Sequence, residues 1–305
     1  MSRRILLVSC GDPNGIGPEI AVKAIKKASD RIKKNSLLVG PEDVLKKSGW
    51  NSNLCAVLNV SCEKFTLKPG RVDAKAGLIS FKAFSLACRL ASEGFGSAVV
   101  SAPVSKEAWL LAGLPYMGHT CYLKKAFKVE PVMSFHYGNF NSFLITEHLP
   151  IEKVPASITE KKIISKVKSF AFSFGLARKA KILMSGLNPH CGENGALGKE
   201  EILSIGKAIL KLRRSGFEVC GPLNSEDIFS RYFSVKADAA VFMYHDQLLS
   251  PLKIIYKHPV HATWGLPFVR TSATHGTAFD IAWKNRADSL GMLAAMEFAF
   301  KKVSG

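Results

Sequence analysis

Residues 5–19 read Ile5-Leu-Leu-Val-Ser-Cys-Gly-Asp-Pro-Asn-Gly-Ile-Gly-Pro-Glu19. A short β-prone apolar run stops at polar and glycine residues, and a helix pattern follows. Gly15 and Gly17 permit a tight turn, and Pro18 suits the first turn of a helix. Glu19 places negative charge at that helix's positive end. The segment is a strand–turn–helix unit with polar residues collected at the strand's end. It is neither a Walker A loop, which needs Gly-Lys-Ser/Thr, nor a G-x-G-x-x-G dinucleotide fingerprint, which occurs nowhere in the chain.

The same alternation runs through the sequence. Strands are expected at 5–9, 36–39, 98–101, 142–145, 181–184 and 239–243, each bounded by Gly, Pro, Asn or charge. Helices are expected at 18–29, 76–92, 160–174, 199–215 and 287–302. In the 199–215 helix, Ile202, Ile205, Ile209 and Leu212 keep a three-or-four spacing, and Gly216 offers a C-cap. Strands buried on both faces and alternating with helices indicate an α/β fold with a largely parallel sheet.

The chain has 305 residues, enough for two domains or one large α/β unit. Its 42 Lys and Arg against 24 Asp and Glu give a formal charge of +18, which raises nucleic acid, an anionic membrane or anionic small molecules as partners. The basic residues are scattered pairs from Arg3-Arg4 to Lys301-Lys302, not a continuous arm. Lys23, Lys26, Lys27, Arg31 and Lys34 are expected on one solvated helix face. Neither zinc-finger spacing nor a ribonucleoprotein-type aromatic motif occurs, so no nucleic-acid partner is expected. No stretch of 18 mostly apolar residues occurs, so no membrane span is expected. Seven dispersed cysteines without Cys-x-x-Cys suggest reduced thiols in a cytoplasmic enzyme.

Polar residues concentrate where the strands stop, the place where open α/β sheets bind ligands. Three histidines follow three separate strands: His148 after 142–145, His190 after 181–184, and His245 after 239–243. Neutral imidazoles are common ligands of catalytic metals, and three protein ligands leave a position open for substrate. Asp246 and Glu193 stand beside two of them as ligands or orienting groups. His119 and Thr120, with Lys253, Arg270 and Ser272 downstream, form a set suited to a carboxylate or phosphate. The segment Thr271-Ser-Ala-Thr-His-Gly-Thr-Ala-Phe-Asp280 could contact phosphate or adenine, or cap a helix through Thr274 or Thr277.

Taken in order, the motifs resemble the 4-hydroxythreonine-4-phosphate dehydrogenase family of pyridoxal phosphate biosynthesis. They are residues 11–19, Ala102-Pro-Val-Ser-Lys106, Gly118-His-Thr120, His148-Leu-Pro150, Asn188-Pro-His190 with Gly192-Glu-Asn-Gly195, Tyr244-His-Asp-Gln247, and His275-Gly-Thr-Ala-Phe-Asp-Ile-Ala282. The resemblance spans residues 11–294. It implies a two-domain α/β fold like that of isocitrate and isopropylmalate dehydrogenases, with mixed, largely parallel sheets and an interdomain cleft. The domains expected are 1–125 with 272–305 on the cofactor side, and 126–271 on the metal, substrate and dimer side.

By the same resemblance His148, His190 and His245 hold one divalent ion (Zn, Mg or Co), with His245 reaching into a partner subunit's site in a homodimer. His119, Thr120, Lys253, His261 and Arg270 fall on substrate-contacting positions, and His275, Gly276, Thr277 and Asp280 on the loop that meets NAD or NADP. Asp246 and Lys253 are the candidates for the proton-accepting catalytic group. The implied reaction oxidises a phosphorylated threonine derivative and then decarboxylates it. Four positions depart from the family pattern: Cys121, Leu248, His261 and Thr274 stand where Glu, Gly, Asn and Asp are usual. Other readings are a paralogous dehydrogenase for threonate or erythronate phosphate, a basic polyanion-binding protein, and a zinc hydrolase using Glu193 or Asp246 as base.

Overall fold

The computed structural model describes residues 4–60 and 65–304. Arg3 and Cys62 lie outside the described residues. The chain divides into two compact units, Met1–Pro131 with Val260–Gly305, and Val132–Pro259. No helix among the described residues is long and apolar enough to cross a membrane.

In chain order, the first unit begins with β1 (Leu6–Ser9), α1 (Gly17–Lys27), α2 (Asp30–Lys34), β2 (Ser36–Gly40), α3 (Glu42–Lys47) and β3 (Ala56–Asn59). It continues through α4 (Ala74–Ser92), β4 (Ala98–Ser101), α5 (Lys106–Leu111) and α6 (His119–Phe127). The second unit carries β5 (Val132–Tyr137), β6 (Phe140–Leu144), α7 (Val154–Ser157), α8 (Glu160–Phe174) and β7 (Lys181–Ser185). A π-helical turn at Glu201–Ile205 leads into α9 (Gly206–Arg214), then β8 (Glu218–Leu223), α10 (Ser225–Arg231), β9 (Ala239–Phe242) and α11 (His245–Ile255). The chain then supplies β10 (Val260–Trp264), β11 (Val269–Ser272) and α12 (Leu290–Ser304) to the first unit.

Strands of the first unit lie in the order β3-β2-β1-β4-β11-β10, all parallel except β10, which runs antiparallel to β11. β1 shows why its sequence is apolar without alternation. Leu6 and Val8 pack with Ile20, Ile25, Met292 and Met296 on one face, and Leu7 packs with Phe84, Ala87 and Cys88 on the other. Helices cover both faces, as a parallel sheet requires. A side-chain carbon on Gly17 would lie 2.3 Å from the Cys10 carbonyl oxygen, so α1 can start this close to β1 only with glycine there.

The second unit orders its strands β5-β6-β9-β7-β8, with the β5–β6 hairpin antiparallel and the remaining pairs parallel. Its core sets Met133, Phe140 and Phe242 against Tyr232, Leu248 and Leu252.

Several boundaries differ from the sequence expectation, each for a local reason. Residues 260–271 belong to the first unit, not to the second as expected, because β11 pairs in parallel with β4. The units therefore divide after Pro131 and after Pro259, and His261 and Arg270 move to the first. The expected 18–29 helix breaks at Ala28, whose backbone is extended, so Arg31 and Lys34 sit on a separate helix from Lys23 and the basic stripe is not continuous. Ile205, Ile209 and Leu212 are buried as expected, but Ile202 is 52% exposed because the π turn rotates it off the apolar face. The final helix begins at Leu290 and not at 287, since Ala287 is held by its N–H donating to Glu19 Oε1 at 3.1 Å.

Candidate active site

Two polar constellations stand at strand ends, one in each unit. In the first unit, Arg270 on β11 is 3% exposed. Its Nη1 lies 3.1 Å from His261 Nδ1 and donates to Thr263 Oγ1 at 3.2 Å; its Nη2 donates to Ser101 Oγ at 2.7 Å and lies 3.1 Å from His119 Nδ1. Among the described residues none of these partners is a carboxylate. Burial draws the guanidinium down to about 10, still charged at neutral pH. The fold thus holds a cation internally with imidazoles and hydroxyls around it and no protein anion against it. Such a charge is costly unless an anion completes its surroundings.

The guanidinium donates, so both imidazoles must accept through Nδ1 and carry their proton on Nε2. For His119 burial, followed by the Arg270 charge and His261, holds the ring well below the usual imidazole range. Phe84 and Trp109 pack on it with ring centroids 4.1 Å and 5.6 Å away. His119 is the first residue of α6 and Thr120 the second; Gly118, at φ 99°, turns the chain into this helix. Two donors in the cluster, Arg270 Nε and His119 Nε2, are buried with no hydrogen-bond partner. Buried donors of this kind normally have partners, and a bound anion would supply them.

The nearby β1–α1 turn is tightly tied. Asn14 donates its side-chain amide to the Arg71 carbonyl at 3.0 Å and accepts from the Lys68 N–H at 2.9 Å. Asp12 is fully buried and accepts from the Asn14 N–H; burial pushes its carboxyl up to about 6. The expected cofactor loop joins the same turn, since Ile16 N–H donates to the Thr277 carbonyl. His275, Gly276 and Asp280 on that loop are exposed, and the space around Gly276 is open. A backbone stretch anchored at Thr277 and otherwise uncovered fits a dinucleotide contact.

In the second unit β6, β9 and β7 are adjacent and parallel, so their C-terminal ends fall on one side. His148, His245 and His190 follow these ends. Thr146 ties the first two segments, its hydroxyl donating to the Met243 carbonyl at 2.6 Å, and the His148 and His245 rings lie 5.1 Å apart. His245 Nδ1 is 3.1 Å from Asp246 Oδ1; with Nδ1 donating to that carboxylate, Nε2 is the ring nitrogen available to a ligand. Gln247 ties the second segment to the third: its Oε1 accepts from Met243 N–H and Ser185 hydroxyl, and its Nε2 donates to the Gly186 carbonyl. This cross-link has no signature in the sequence beyond the Gln itself. Lys253 is exposed on α11, and Leu248, where the family pattern has Gly, is fully buried in the core.

His190 sits differently. Residues His190–Asn194 hold five successive left-handed backbone angles, φ 50°, 53°, 78°, 43° and 55°. Four of the five are not glycine, and a left-handed turn costs an L-residue about 1–2 kcal/mol. Alternating strand and helix patterns give no warning of such a turn. Among the described residues no three His, Cys, Asp or Glu side chains converge in a group that could hold a metal ion. The imidazole pair His148 and His245 offers nitrogen donors of the kind a divalent ion takes, and His190 is exposed beyond the end of the neighbouring strand β7. Cys121, partly buried in the first turn of α6, is one of six described cysteines, all free thiols.

The chain is similar to known proteins over nearly its whole length. Residues 6–299 match the family model described as pyridoxal phosphate biosynthetic protein PdxA. The chain is 36% identical over 310 residues to 4-hydroxythreonine-4-phosphate dehydrogenase of Sulfurimonas denitrificans, covering 98% of each. It is 33% identical over 342 residues to a Bradyrhizobium diazoefficiens protein provisionally named D-threonate 4-phosphate dehydrogenase, covering 100% of this chain and 98% of the relative. Among solved structures it is similar to 4-hydroxythreonine-4-phosphate dehydrogenase from Klebsiella pneumoniae, with TM-score 0.86, 34% identity, and coverage of 100% and 99%. With nearly its whole length matched by the family model and by a relative to which it is 36% identical, the chain belongs to the PdxA family of pyridoxal phosphate biosynthetic proteins.

Proposed function

We propose that the protein is a 4-hydroxythreonine-4-phosphate dehydrogenase: it oxidises 4-phosphooxy-L-threonine with NAD or NADP, and the product loses CO2 to give 3-amino-2-oxopropyl phosphate. The observation that carries this reading is the buried Arg270 guanidinium, held by two imidazoles and two hydroxyls with a donor left over. It is a prepared site for an anionic group on a small substrate, and Arg and imidazole donors suit phosphate or carboxylate.

His119, with its proton on Nε2, donates to the substrate while Arg270 fixes its tautomer. Thr120 adds a hydroxyl at the start of α6. Together they hold the substrate so that the alcohol carbon meets the cofactor in one orientation. The loop bearing His275, Gly276, Thr277 and Asp280 holds the dinucleotide. His148, His190 and His245 hold one divalent ion, Zn, Mg or Co. When bound, the dinucleotide accepts the hydride and the ion polarises the oxygen being oxidised.

Asp246 orients His245 through its Nδ1, and the proton-accepting task falls to Lys253. On oxidation Lys253 would take up the hydroxyl proton, and the dinucleotide, when bound, would supply the acceptor for the hydride from the alcohol carbon. The bond to the carboxylate carbon then breaks, CO2 departs, and the electron pair left on the α-carbon takes up a proton. We infer further, from the resemblance to the family, that the enzyme is a homodimer in which His245 reaches into the partner subunit's site. We also infer a cytoplasmic location from the six free described thiols.

A second reading has its own observation. His261, in place of Asn, meets Arg270 through Nδ1 and also lies 3.1 Å from Ser272 Oγ. A ring at this position reshapes the anion site and favours a related phosphorylated hydroxy acid such as threonate or erythronate phosphate. Nicotinamide reduction measured on these substrates, with NAD+ and NADP+ and with each divalent ion, separates the two. Turnover of 4-phosphooxy-L-threonine at least tenfold faster than the sugar acids supports the first; the reverse order supports the second.

A further inference from the structure

We propose that Glu201 is the positioning residue for His190, clamping the left-handed turn that presents this imidazole. The inference rests on the reading of His190 as a metal ligand and adds how the chain holds it in place.

Glu201 is 5% exposed and opens the π-helical turn before α9. Its side chain points back into the loop after β7. Oε1 accepts from the backbone N–H of Leu187 at 2.7 Å and of Asn188 at 2.8 Å, and Oε2 accepts from Asn188 Nδ2 at 2.9 Å. Asn188 Nδ2 also donates to Glu200 Oε2 at 2.8 Å, so both amide hydrogens are used. Burial pushes the Glu201 carboxyl up, but the hydrogen bonds from Asn188 and Leu187 outweigh it and hold it below the usual carboxylate range.

The left-handed run follows at once, from His190 to Asn194, and folds over the same carboxylate. A side-chain carbon at Gly192 would fall 2.6 Å from Glu201 Oε2, and one at Gly186 would fall 3.1 Å from Oε1. The turn closes where Leu197 N–H donates to the Gly192 carbonyl, and Gly198, at φ 138°, passes against the Asn188 amide. The carboxylate is therefore the centre about which residues 187–198 wrap.

Strained backbone persists only where its surroundings over-determine it. Here the surroundings are one buried anion collecting three donors at the foot of the turn. A π turn puts the glutamate there; a regular helix would advance it along the axis at 100° per residue and alter its aim. Sequence neighbours of His190 offer no comparable hold, since Glu193 is exposed. A ligand on a free loop would lose affinity to the entropy of ordering it, and the clamp removes that cost beforehand.

The test uses the full chain as wild type, Glu201→Gln, His190→Ala and the double variant, with Glu201→Asp as a second probe should the Gln variant fold poorly. Two readouts are taken: hydrogen exchange of residues 187–198 without metal, and Co2+ titration followed by visible absorption. We expect Glu201→Gln to speed exchange in 187–198 by at least about tenfold while residues 181–185 keep theirs. Co2+ affinity should fall about 10- to 100-fold, as for other groups that orient metal ligands, and should fall no further when Glu201→Gln is added to His190→Ala. Glu201→Asp, which keeps the charge but withdraws it, should lie between.

Exchange and affinity unchanged in Glu201→Gln would overturn the proposal. So would a full additional loss in the His190→Ala background, which would mean that Glu201 acts on the metal without His190. If His190→Ala binds Co2+ like wild type, the ligand assignment of His190 fails and the proposal fails with it; faster exchange in Glu201→Gln would then show a clamp on a turn with no metal task.

Discussion

The polar cluster of the first unit and that of the second solve opposite problems. Around Arg270 the fold buries a cation with, among the described residues, no protein anion against it: both imidazoles accept from the guanidinium, and Arg270 Nε and His119 Nε2 are buried donors with no partner. Around His148, His190 and His245 the strand ends bring two imidazoles together and hold the third on a strained turn. The first cluster is held together by hydrogen bonds within one unit, so the fold itself must tolerate the buried charge. The second leaves His148 and His190 exposed and His245 half-buried, and the reading proposed above gives these imidazoles an ion to close on.

The contrast can be broken most severely at His245. His245→Ala removes half of the only close imidazole pair described among the three strand-end histidines, and we expect turnover to fall at least about a thousandfold because the group acts in the transition state. Steady-state kinetics at saturating metal check this, and a near wild-type rate would place the metal elsewhere. Arg270→Met is next. It replaces a buried cation by an apolar chain of similar length, so folding survives while kcat/KM for a phosphorylated substrate drops about 100-fold. Arg270→Lys should recover little of that loss, because one ammonium cannot engage His119, His261, Ser101 and Thr263 at once.

Gln247→Ala tests the scaffold of the second cluster. It frees the Met243 N–H, the Ser185 hydroxyl and the Gly186 carbonyl. Denaturant unfolding should show a loss of about 3 kcal/mol.

Asp12→Asn gives the smallest change and one that depends on pH. The folded carboxyl titrates near 6 against an ordinary value of 3.8. Both states are protonated below about pH 3, so Asp12 costs the fold nothing there. Between about 4 and 6 the unfolded chain releases its proton first, and stability declines as pH rises. Asn keeps the acceptor for the Asn14 N–H without the charge. Melting experiments should show the variant more stable by about 2 kcal/mol at pH 8 and equal to wild type at about pH 3.

The sequence made the α/β class readable because β1, β2, β4, β6, β7 and β9 are apolar runs closed by polar residues, and all six appear at the expected places. β3, β5, β8, β10 and β11 were not readable. β10, for example, contains His261 and Thr263, which face a polar cluster instead of a core, and so lacks the pattern of a buried strand. That gap displaced the domain boundary past Arg270. His119, His261 and Arg270 could be named from motifs, but their mutual hydrogen bonds arise from strand neighbours far apart in the chain. The clamp at Glu201 was hidden for another reason. It depends on a π turn and on left-handed residues that no periodicity encodes.

The most direct test of the whole account is reduction of NAD+ and NADP+ by the purified protein on 4-phosphooxy-L-threonine, with and without a divalent-metal chelator. Reduced nicotinamide and CO2 should form in equal amounts, both should be lost on chelation, and both should return when Zn, Mg or Co is restored. Full activity after chelation, or none on any phosphorylated hydroxy acid with every metal present, would contradict it.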